Sequence, residues 1–352
     1  MKLEKLDALR GFAALYVALG HWVDCNDATP LFIRHALRFG QQSVILFFLL
    51  SGFVIYIATS RSENVPFRDY FIKRFRRIYP VMIGAFIVSF IIAFIDGNFF
   101  EMFDGKVLIG NLLMLQDYGT DKPGLWFTYF MRNSPLWSLS YEWWFYMLFF
   151  VFYKFLIKSP YRLLTAFLIS LVSAISYLIY PNHASLVFAY FIIWWTGYEA
   201  ADVYFKQKTF TLQNMKWLIA ANLSILLLFV GYQFGQQQIE SALGIEAIIV
   251  KKPIIHFSTC VIFLSSGLLW WRAKLIGFNQ ILGVFIYVAP ISYALYVLHF
   301  PILKIWDLYQ YFDYKESFMN MVIVNSIRLT VLVGLSYLME IKIQPIINKY
   351  LK

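Results

Sequence analysis

Charged residues are scarce in this sequence. Asp, Glu, Lys and Arg make up only 14% of its 352 residues, whereas a soluble domain carries about a quarter. Apolar residues make up 60%, so the chain has too little polar surface to cover an exterior that faces only water. This excludes an ordinary soluble globular protein and requires that part of the surface faces lipid. An aromatic content of 20% agrees, because membrane helices often end in belts of Trp and Tyr.

Cysteines are nearly absent, and so are the common catalytic signatures. The two cysteines, Cys25 and Cys260, lie far apart in the sequence, which excludes a disulfide framework and a Cys-x-x-Cys metal site. The patterns H-E-x-x-H, G-x-S-x-G and the phosphate-binding P-loop do not occur. We therefore expect no metal site, and any chemistry must come from other side chains.

The net charge of +10 raises the question of a nucleic-acid partner. No basic domain or tail is present, however, and the Lys and Arg residues lie between apolar runs. This is the distribution of the positive-inside rule, in which cytoplasmic loops carry the excess of Lys and Arg. We expect a lipid bilayer rather than a nucleic acid as the partner.

Ten apolar runs approach the length of about 20 residues that a spanning helix needs. The predicted spans are 6–23, 40–60, 77–96, 135–157, 162–180, 186–204, 215–234, 254–271, 278–300 and 319–340. With the N-terminus inside, inner segments hold 19 Lys and Arg and outer segments hold 9, which predicts that both termini are cytoplasmic. We expect an all-α polytopic membrane protein that forms a single domain, residues 1–352. Its first run is expected to be a retained helix, not a signal peptide.

The first predicted span carries two ionisable residues, Arg10 and His21, in RGFAALYVALGH. Eleven residues make about three helical turns, so both side chains project from one face, about 16 Å apart. That face carries only Ala14, Val17 and Ala18 between them, which suggests a groove for a long ligand with an anionic head. Ionisable groups inside spans are functional candidates. Alternatively, Arg10 snorkels to the inner headgroups and His21 lies in the outer interface.

Two further motifs flank the first inner loop. FFLLSGFVIY places Ser51 and Gly52 in an apolar helix, where small residues allow either ligand contact or close helix packing. FIKRFRRIYP ends that loop with four cations, Lys73, Arg74, Arg76 and Arg77, which form a candidate seat for phosphate groups. Arg is suited to this role because its guanidinium binds phosphate bidentately. The alternative is that the cations only anchor the topology.

The motif PLWSLSYEWWFY places Glu142 about 10 Å inside the fourth span, at 1.5 Å per residue from Pro135. An isolated carboxylate at that depth is expensive. We predict that Glu142 orients or polarises His21, as a carboxylate does for a catalytic imidazole. The alternative is a protonated packing residue. His299, in ISYALYVLHFPI, is the next candidate base, whereas His35, His183 and His256 are expected to be loop or interface residues.

The five motifs RGFAALYVALGH, LSGFVI, RFRRIYP, WSLSYEWWFY and SYALYVLHFP resemble, in order and spacing, the bacterial membrane acyltransferase-3 family. The resemblance covers Leu6 to Pro345. It implies a ten-helix enzyme that moves an acyl group, usually acetyl, from cytoplasmic acyl-CoA to a hydroxyl of an envelope glycan such as O-antigen, capsule or exopolysaccharide. Many relatives carry an additional periplasmic hydrolase-like domain, which we do not expect in this sequence.

The resemblance also implies roles for the residues singled out above. Arg10 and His21 match the family's Arg and His, and Glu142 matches its buried acid. Arg74 and Arg77 match the basic inner motif, and Ser51 and Gly52 match the small-residue motif. We expect His21, Glu142 and Arg10 to be catalytic, and Arg10, Ser51, Gly52, Arg74 and Arg77 to bind acyl-CoA.

Two other functions use the same residues. A transporter or flippase of lipid-linked sugars would line its pathway with them, but such proteins often show repeated halves, and no repeat is visible here. A membrane receptor without enzymatic activity would give these His, Arg and Glu residues no function. Direct transfer and an acyl-histidine intermediate both remain open for the enzyme. We expect the bacterial inner membrane as the location.

Overall fold

The computed structural model describes residues 3–24, 29–60, 64–119, 122–243, 249–304 and 318–351, and these residues form helices and no β-strand. The helices in chain order are α1 (Glu4–Asp24), α2 (Leu31–Leu37), α3 (Gly40–Thr59), α4 (Phe67–Ile95), α5 (Phe99–Met102), α6 (Gly105–Leu112), α7 (Trp137–Phe155), α8 (Arg162–Ile179), α9 (His183–Gln207), α10 (Leu212–Leu243), α11 (Lys251–Arg272), α12 (Phe278–Ile281), α13 (Ser292–Lys304), α14 (Phe318–Tyr337) and α15 (Gln344–Tyr350). The π-helical segment Leu338–Ile343 joins α14 to α15.

Six helical segments within the described residues are long and apolar enough to cross a membrane. They are Leu31–Thr59, Phe67–Ile95, Arg162–Ile179, Leu212–Gln236, Lys251–Arg272 and Val322–Tyr350. Helices suit this role because they satisfy every backbone polar group within the segment. The all-α class and the multi-pass membrane character are thus confirmed. Ten spans with cytoplasmic termini stay a prediction.

The other four predicted spans differ from simple apolar helices. The first turns of α1 carry several charges, including Asp7 and Arg10. In α9, 17 of 25 residues are buried, so it lies in the core of the bundle. Both α9 and α7 are rich in Trp and Tyr, which combine an apolar ring with a polar atom.

The prediction of one continuous helix over residues 278–300 is wrong. The structure divides it into α12, the 3-10 turns Gly283–Tyr287 and Ala289–Ile291, and the start of α13. Gly277 precedes it with φ of +78°, a conformation that favours glycine, and Pro290 lacks the N–H that a continuous helix would use. The irregular stretch packs on α1, where a Cβ on Gly11 would lie 2.1 Å from the carbonyl oxygen of Phe285.

A reciprocal glycine contact joins α3 to α9. A Cβ on Gly52 would lie 2.0 Å from the Trp194 carbonyl oxygen, and one on Gly197 would lie 2.0 Å from that of Leu49. Only glycine allows the two backbones to approach this closely. The contact fixes α3 beside α9, while α1 packs on α3 and α13, and α4 packs on α7 and α13.

Candidate active site

A cavity of about 230 Å³ lies between α1, α3, α4, α7 and α13. Five of the seven predicted site residues line it, namely Arg10, Ser51, Arg74, Arg77 and Glu142. They come from three separate motifs and from the first helix, so the fold gathers residues that are distant in sequence. His21 and Gly52 lie outside this lining.

Glu142 is held by two hydroxyl groups. Ser51 Oγ donates to Glu142 Oε1 at 2.7 Å, and the Tyr146 hydroxyl donates to the same oxygen at 2.8 Å. The indole N–H of Trp194 donates to Ser51 Oγ at 3.0 Å. Both Tyr146 and Ser51 therefore support the carboxylate, and Tyr146, four residues after Glu142, lies on the same face of α7.

The three arginines of the cavity have different partners. Arg10 pairs with Asp7 at 3.1 Å, one turn earlier on α1. Arg77 donates to both carboxylate oxygens of Glu340 at 2.9 and 3.1 Å, and the π-helical segment Leu338–Ile343 carries this acid. Arg74 lies over the rings of Tyr70 and Tyr146, with its guanidinium carbon 5.6 and 5.2 Å from the two ring centres.

Two of these arginines retain unused donors. Within the described part of the chain, the buried Nε groups of Arg10 and Arg74 have no hydrogen-bond partner. A buried donor without a partner costs free energy, and both arginines line the cavity, where their guanidinium groups can turn toward a bound anion. Arg74 and Arg77 lie three residues apart on α4 and therefore share a face. The cavity is thus suited to a ligand that carries phosphate groups.

His21 lies near the C-terminal end of α1, beside a second histidine. The centres of the His21 and His299 rings are 5.2 Å apart, and Phe300 contacts the His21 ring edge to face. His299 is fully buried, with Nδ1 2.6 Å from the carbonyl oxygen of Tyr296. Tyr296 itself lines the cavity. One turn of α13 therefore separates Tyr296, in the lining of the cavity, from the histidine pair.

The structure places Glu142 with Ser51 and Tyr146, and it places His21 with His299. The predicted orientation of His21 by Glu142 therefore has no counterpart among the hydrogen bonds described for the carboxylate. The prediction of a groove between Arg10 and His21 is wrong, because Ala14, Val17 and Ala18 are buried against neighbouring helices. These small residues let the neighbouring helices pack closely and leave no open space between them.

Gly52 lies on the α9 side of α3, in the reciprocal contact with Gly197. This is the close-packing alternative for the small-residue motif. Ser51, the residue before Gly52, lines the cavity. The two residues of the motif therefore contact different parts of the protein.

Several cavity residues were not singled out from the sequence, among them Asp7, Tyr146, Tyr293 and Tyr296. Spacing offered a signal for two of them. Asp7 precedes Arg10 by three residues and Tyr146 follows Glu142 by four, which are the separations at which helical side chains meet. The two tyrosines of α13 gave no such signal, because their partners are on other helices.

A buried polar network fastens the loop between α6 and α7. Lys122 Nζ lies 2.7 Å from Asp117 Oδ1, and the Tyr141 hydroxyl donates to Asp117 Oδ2 at 2.6 Å. His183 Nδ1 lies 3.5 Å from the same carboxylate, and its Nε2 lies 3.0 Å from Ser140 Oγ. Ser140 is fully buried, so this network stabilises the loop and does not expose a nucleophile.

His183 and His256, which we predicted to be loop or interface residues, lie in α9 and α11 and are buried. His183 is 3% exposed and His256 is 1% exposed. His256 Nδ1 lies 2.8 Å from the Tyr190 hydroxyl, and its ring stacks on Trp137. Their polar partners come from other helices, which sequence patterns do not reveal.

Residues 3–339 match the family model described as an acyltransferase domain, of the acyltransferase-3 type. The acyltransferase MdmB of Streptomyces mycarofaciens is a similar curated protein, 32% identical over 174 residues. That match spans 46% of this chain and 42% of the relative, so the chain matches less than half the length of this relative. No solved structure matches the chain. Because the family model covers nearly the whole sequence, this chain belongs to the acyltransferase-3 family.

Proposed function

We propose that this protein is an acyl-CoA-dependent O-acyltransferase of the bacterial inner membrane, and that the group transferred is acetyl. The acceptor is a hydroxyl of a surface or periplasmic glycan, such as O-antigen, capsule or another exopolysaccharide. The chain crosses the membrane ten times, with both termini in the cytoplasm. Family membership and the similarity to MdmB, itself an acyltransferase, support the transfer of an acyl group.

The observation that carries the proposal is the cavity that gathers Arg10, Arg74 and Arg77 with Glu142. The arginines lie at the end of the bundle that carries the inner loop motif, where cytoplasmic acyl-CoA arrives. Charge-assisted hydrogen bonds from Arg to phosphate are about twice as strong as neutral ones. The unused Nε donors of Arg10 and Arg74 support a phosphate-bearing ligand rather than an empty packing void.

The thioester is directed toward the outer end of the cavity at Tyr296, one turn from the histidine pair. Because Ala14, Val17 and Ala18 are buried, the remaining route opens when α1 separates from α13. His21 then removes the proton from the acceptor hydroxyl, whose oxygen attacks the thioester carbonyl carbon. The carbon–sulfur bond breaks, and His21 returns the proton to the leaving thiolate, which gives free CoA. Glu142, held by Ser51 and Tyr146, balances the charge of the arginines in the cavity.

Purified protein with acetyl-CoA and an extracted glycan acceptor tests this function. We expect release of one CoA thiol for each acetyl group found on the glycan by mass spectrometry. A Glu142→Gln variant keeps the shape but loses the negative charge that balances the arginines, and we expect it to change the affinity for acetyl-CoA more than the stability of the fold. Acetyl-CoA that stays intact with folded wild-type protein and acceptor would exclude the enzyme and favour a transporter of lipid-linked sugars.

Reporter fusions test the proposed topology. Fusions at the C-terminus and within residues 61–64 should both report the cytoplasm, because these segments belong to the Lys- and Arg-rich side. A fusion within residues 117–121 should report the outside. An external signal from the 61–64 fusion would contradict the ten-span arrangement.

A further inference from the structure

A second, larger cavity of about 1,070 Å³ lies at the N-terminal end of α1, between α1, α9, α11 and α12. None of the seven candidate site residues lines it, and it shares only Leu6 with the first cavity. Its volume is at the upper end of the range for small-molecule sites, about 300–1,000 Å³. It is partly open to the surrounding medium. It is therefore large enough for a ligand that the transfer reaction does not use.

The walls of this cavity are mostly apolar and aromatic, with Phe53, Phe263 and Leu268 as representative members. Water is a poor occupant of such a space, because it needs polar partners for its hydrogen bonds. The surface around the opening is also apolar: Leu269 is 64% exposed and Ile276 is 76% exposed. Both features are expected where the protein faces lipid chains.

Charged groups are confined to a few positions of the lining. Lys5 and Lys274 carry ammonium groups, and Glu4 carries the opposing carboxylate, so the balance at the opening is positive. Lys5 Nζ lies 4.9 Å from the centre of the Phe278 ring, which holds the cation at the edge of the apolar space. Trp270 and Trp271 also line the cavity, and Trp is typical of the depth of lipid headgroups.

We propose that this cavity binds one anionic phospholipid of the cytoplasmic leaflet. An acyl chain occupies the apolar interior, and the phosphate lies between Lys5 and Lys274. The location rests on the proposed topology, which places this end of α1 in the cytoplasmic leaflet. Charge complementarity selects an anionic headgroup over a zwitterionic one, since each basic residue near an anionic lipid surface strengthens binding by about fivefold.

Gly267 provides a direct way to fill the cavity. It lines the space, and a Cβ built on it meets no atom within 4 Å, so a side chain can begin there freely and Gly267→Phe should place its ring in the cavity. Gly231 is the matched control, because it also lies within a helix and its Cβ meets nothing within 4 Å, but it lies outside the cavity. Gly231→Phe should therefore leave lipid binding unchanged.

The measurement is native mass spectrometry of the detergent-purified full chain titrated with dioleoylphosphatidylglycerol or dioleoylphosphatidylcholine. We expect one tightly held phosphatidylglycerol on the wild type and on Gly231→Phe, and loss of it on Gly267→Phe. A Lys5→Gln/Lys274→Gln variant should bind phosphatidylglycerol about 25-fold more weakly and phosphatidylcholine as before. Lys154→Gln/Lys158→Gln, which removes two exposed lysines away from the cavity, is the charge control.

Three results would overturn the proposal. Equal binding of the two lipids by the wild type would show that Lys5 and Lys274 do not select an anionic headgroup. Retention of phosphatidylglycerol by Gly267→Phe would place the lipid elsewhere. Displacement of bound phosphatidylglycerol by free CoA would assign the cavity to the acyl donor. This result is a binding measurement and does not depend on whether the protein transfers acyl groups.

Discussion

The rings of His21 and His299 lie 5.2 Å apart, centre to centre, although the two residues come from opposite ends of the chain. His299 Nδ1 lies 2.6 Å from the Tyr296 carbonyl oxygen, and this contact requires that Nδ1 carries the proton. Nε2 of His299 is then the acceptor, and it has no hydrogen-bond partner within the described residues. We expect Nε2 to accept an N–H of His21 once the acceptor hydroxyl is bound, because an acceptor beside an imidazole selects its tautomer.

Two substitutions of His299 separate this role from packing. His299→Gln can place its amide oxygen where Nε2 lies, whereas His299→Asn can keep only the donor toward Tyr296. We expect Asn to lower kcat about 10–100-fold, the range for partners that orient a reacting group, with KM for acetyl-CoA unchanged. Gln should restore part of kcat, and the pH–rate profile should shift only in Asn. Equal losses in both variants, with unchanged pH profiles, would reduce His299 to a packing residue.

Donor binding should depend most on Arg74, because it lines the cavity with an unused Nε donor. Arg74→Gln should weaken acetyl-CoA binding by about 1.5–3 kcal/mol, measured by calorimetry, with little change in Tm. Lys73→Gln is the matched control, since Lys73 is the exposed neighbour outside the cavity. An unchanged donor affinity in Arg74→Gln would leave the basic motif as a topology anchor only.

Arg77 should behave differently from Arg74. Its partner Glu340 has a side chain only 4% exposed, so Arg77→Gln leaves a buried carboxylate without its cation. We expect a larger fall in Tm than for Arg74→Gln, as well as weaker donor binding. The double variant Arg77→Gln/Glu340→Gln should recover Tm but not donor affinity. Recovery of both would show that Arg77 has only a structural role.

Gly52→Ala tests whether the small-residue motif serves packing. The added Cβ would lie 2.0 Å from the Trp194 carbonyl oxygen, so α3 and α9 must separate. We expect overpacking to cost about 1–3 kcal/mol, seen as a lower Tm or poor expression. Gly334→Ala, in α14, is the control, because its Cβ meets no atom within 4 Å. Normal stability with reduced donor affinity would instead support a binding role for Gly52.

Asp117→Asn tests the network of the outer loop. Burial alone would raise the pKa of Asp117, but the Lys122 ammonium and the His183 ring lower it to about 2. A lowered folded pKa means that Asp117 stabilises the fold fully above its ordinary value of 3.8 and loses this effect as pH falls through about 2. At neutral pH, Asn should cost about 3–5 kcal/mol, because it leaves Lys122 buried without its partner. Exposed Glu101→Gln should leave Tm unchanged.

The sequence predicted the residues of the candidate site better than it predicted the contacts between them. Arg10 and Glu142 are ionisable groups in apolar surroundings, and the cost of burying them was sufficient to single them out. Arg74 was singled out as a member of a cluster of four cations. Their gathering in one cavity follows from helix packing that no local pattern encodes. The partner of Glu142 could not be predicted for the same reason, since Ser51 reaches it from another helix.

Small residues were the most ambiguous part of the sequence. Ala14, Val17 and Ala18 suit a groove and a tight helix contact equally well, and only the position of the neighbouring helices decides between them. The broken segment 278–300 was missed because hydropathy does not register Gly277 and Pro290 as interruptions. The buried histidines were missed because a single sequence does not show their tertiary partners.

The turnover of His21→Ala tests the central claim most directly. His21 is in the last turn of α1 and outside the cavity, so the variant should insert normally and bind acetyl-CoA with wild-type affinity. It lacks the proton acceptor, and general base catalysis is typically worth 10²–10⁴-fold. We therefore predict that acetyl transfer to the glycan falls by that factor while donor binding is unchanged. A folded His21→Ala protein that transfers acetyl groups at near the wild-type rate would contradict the mechanism.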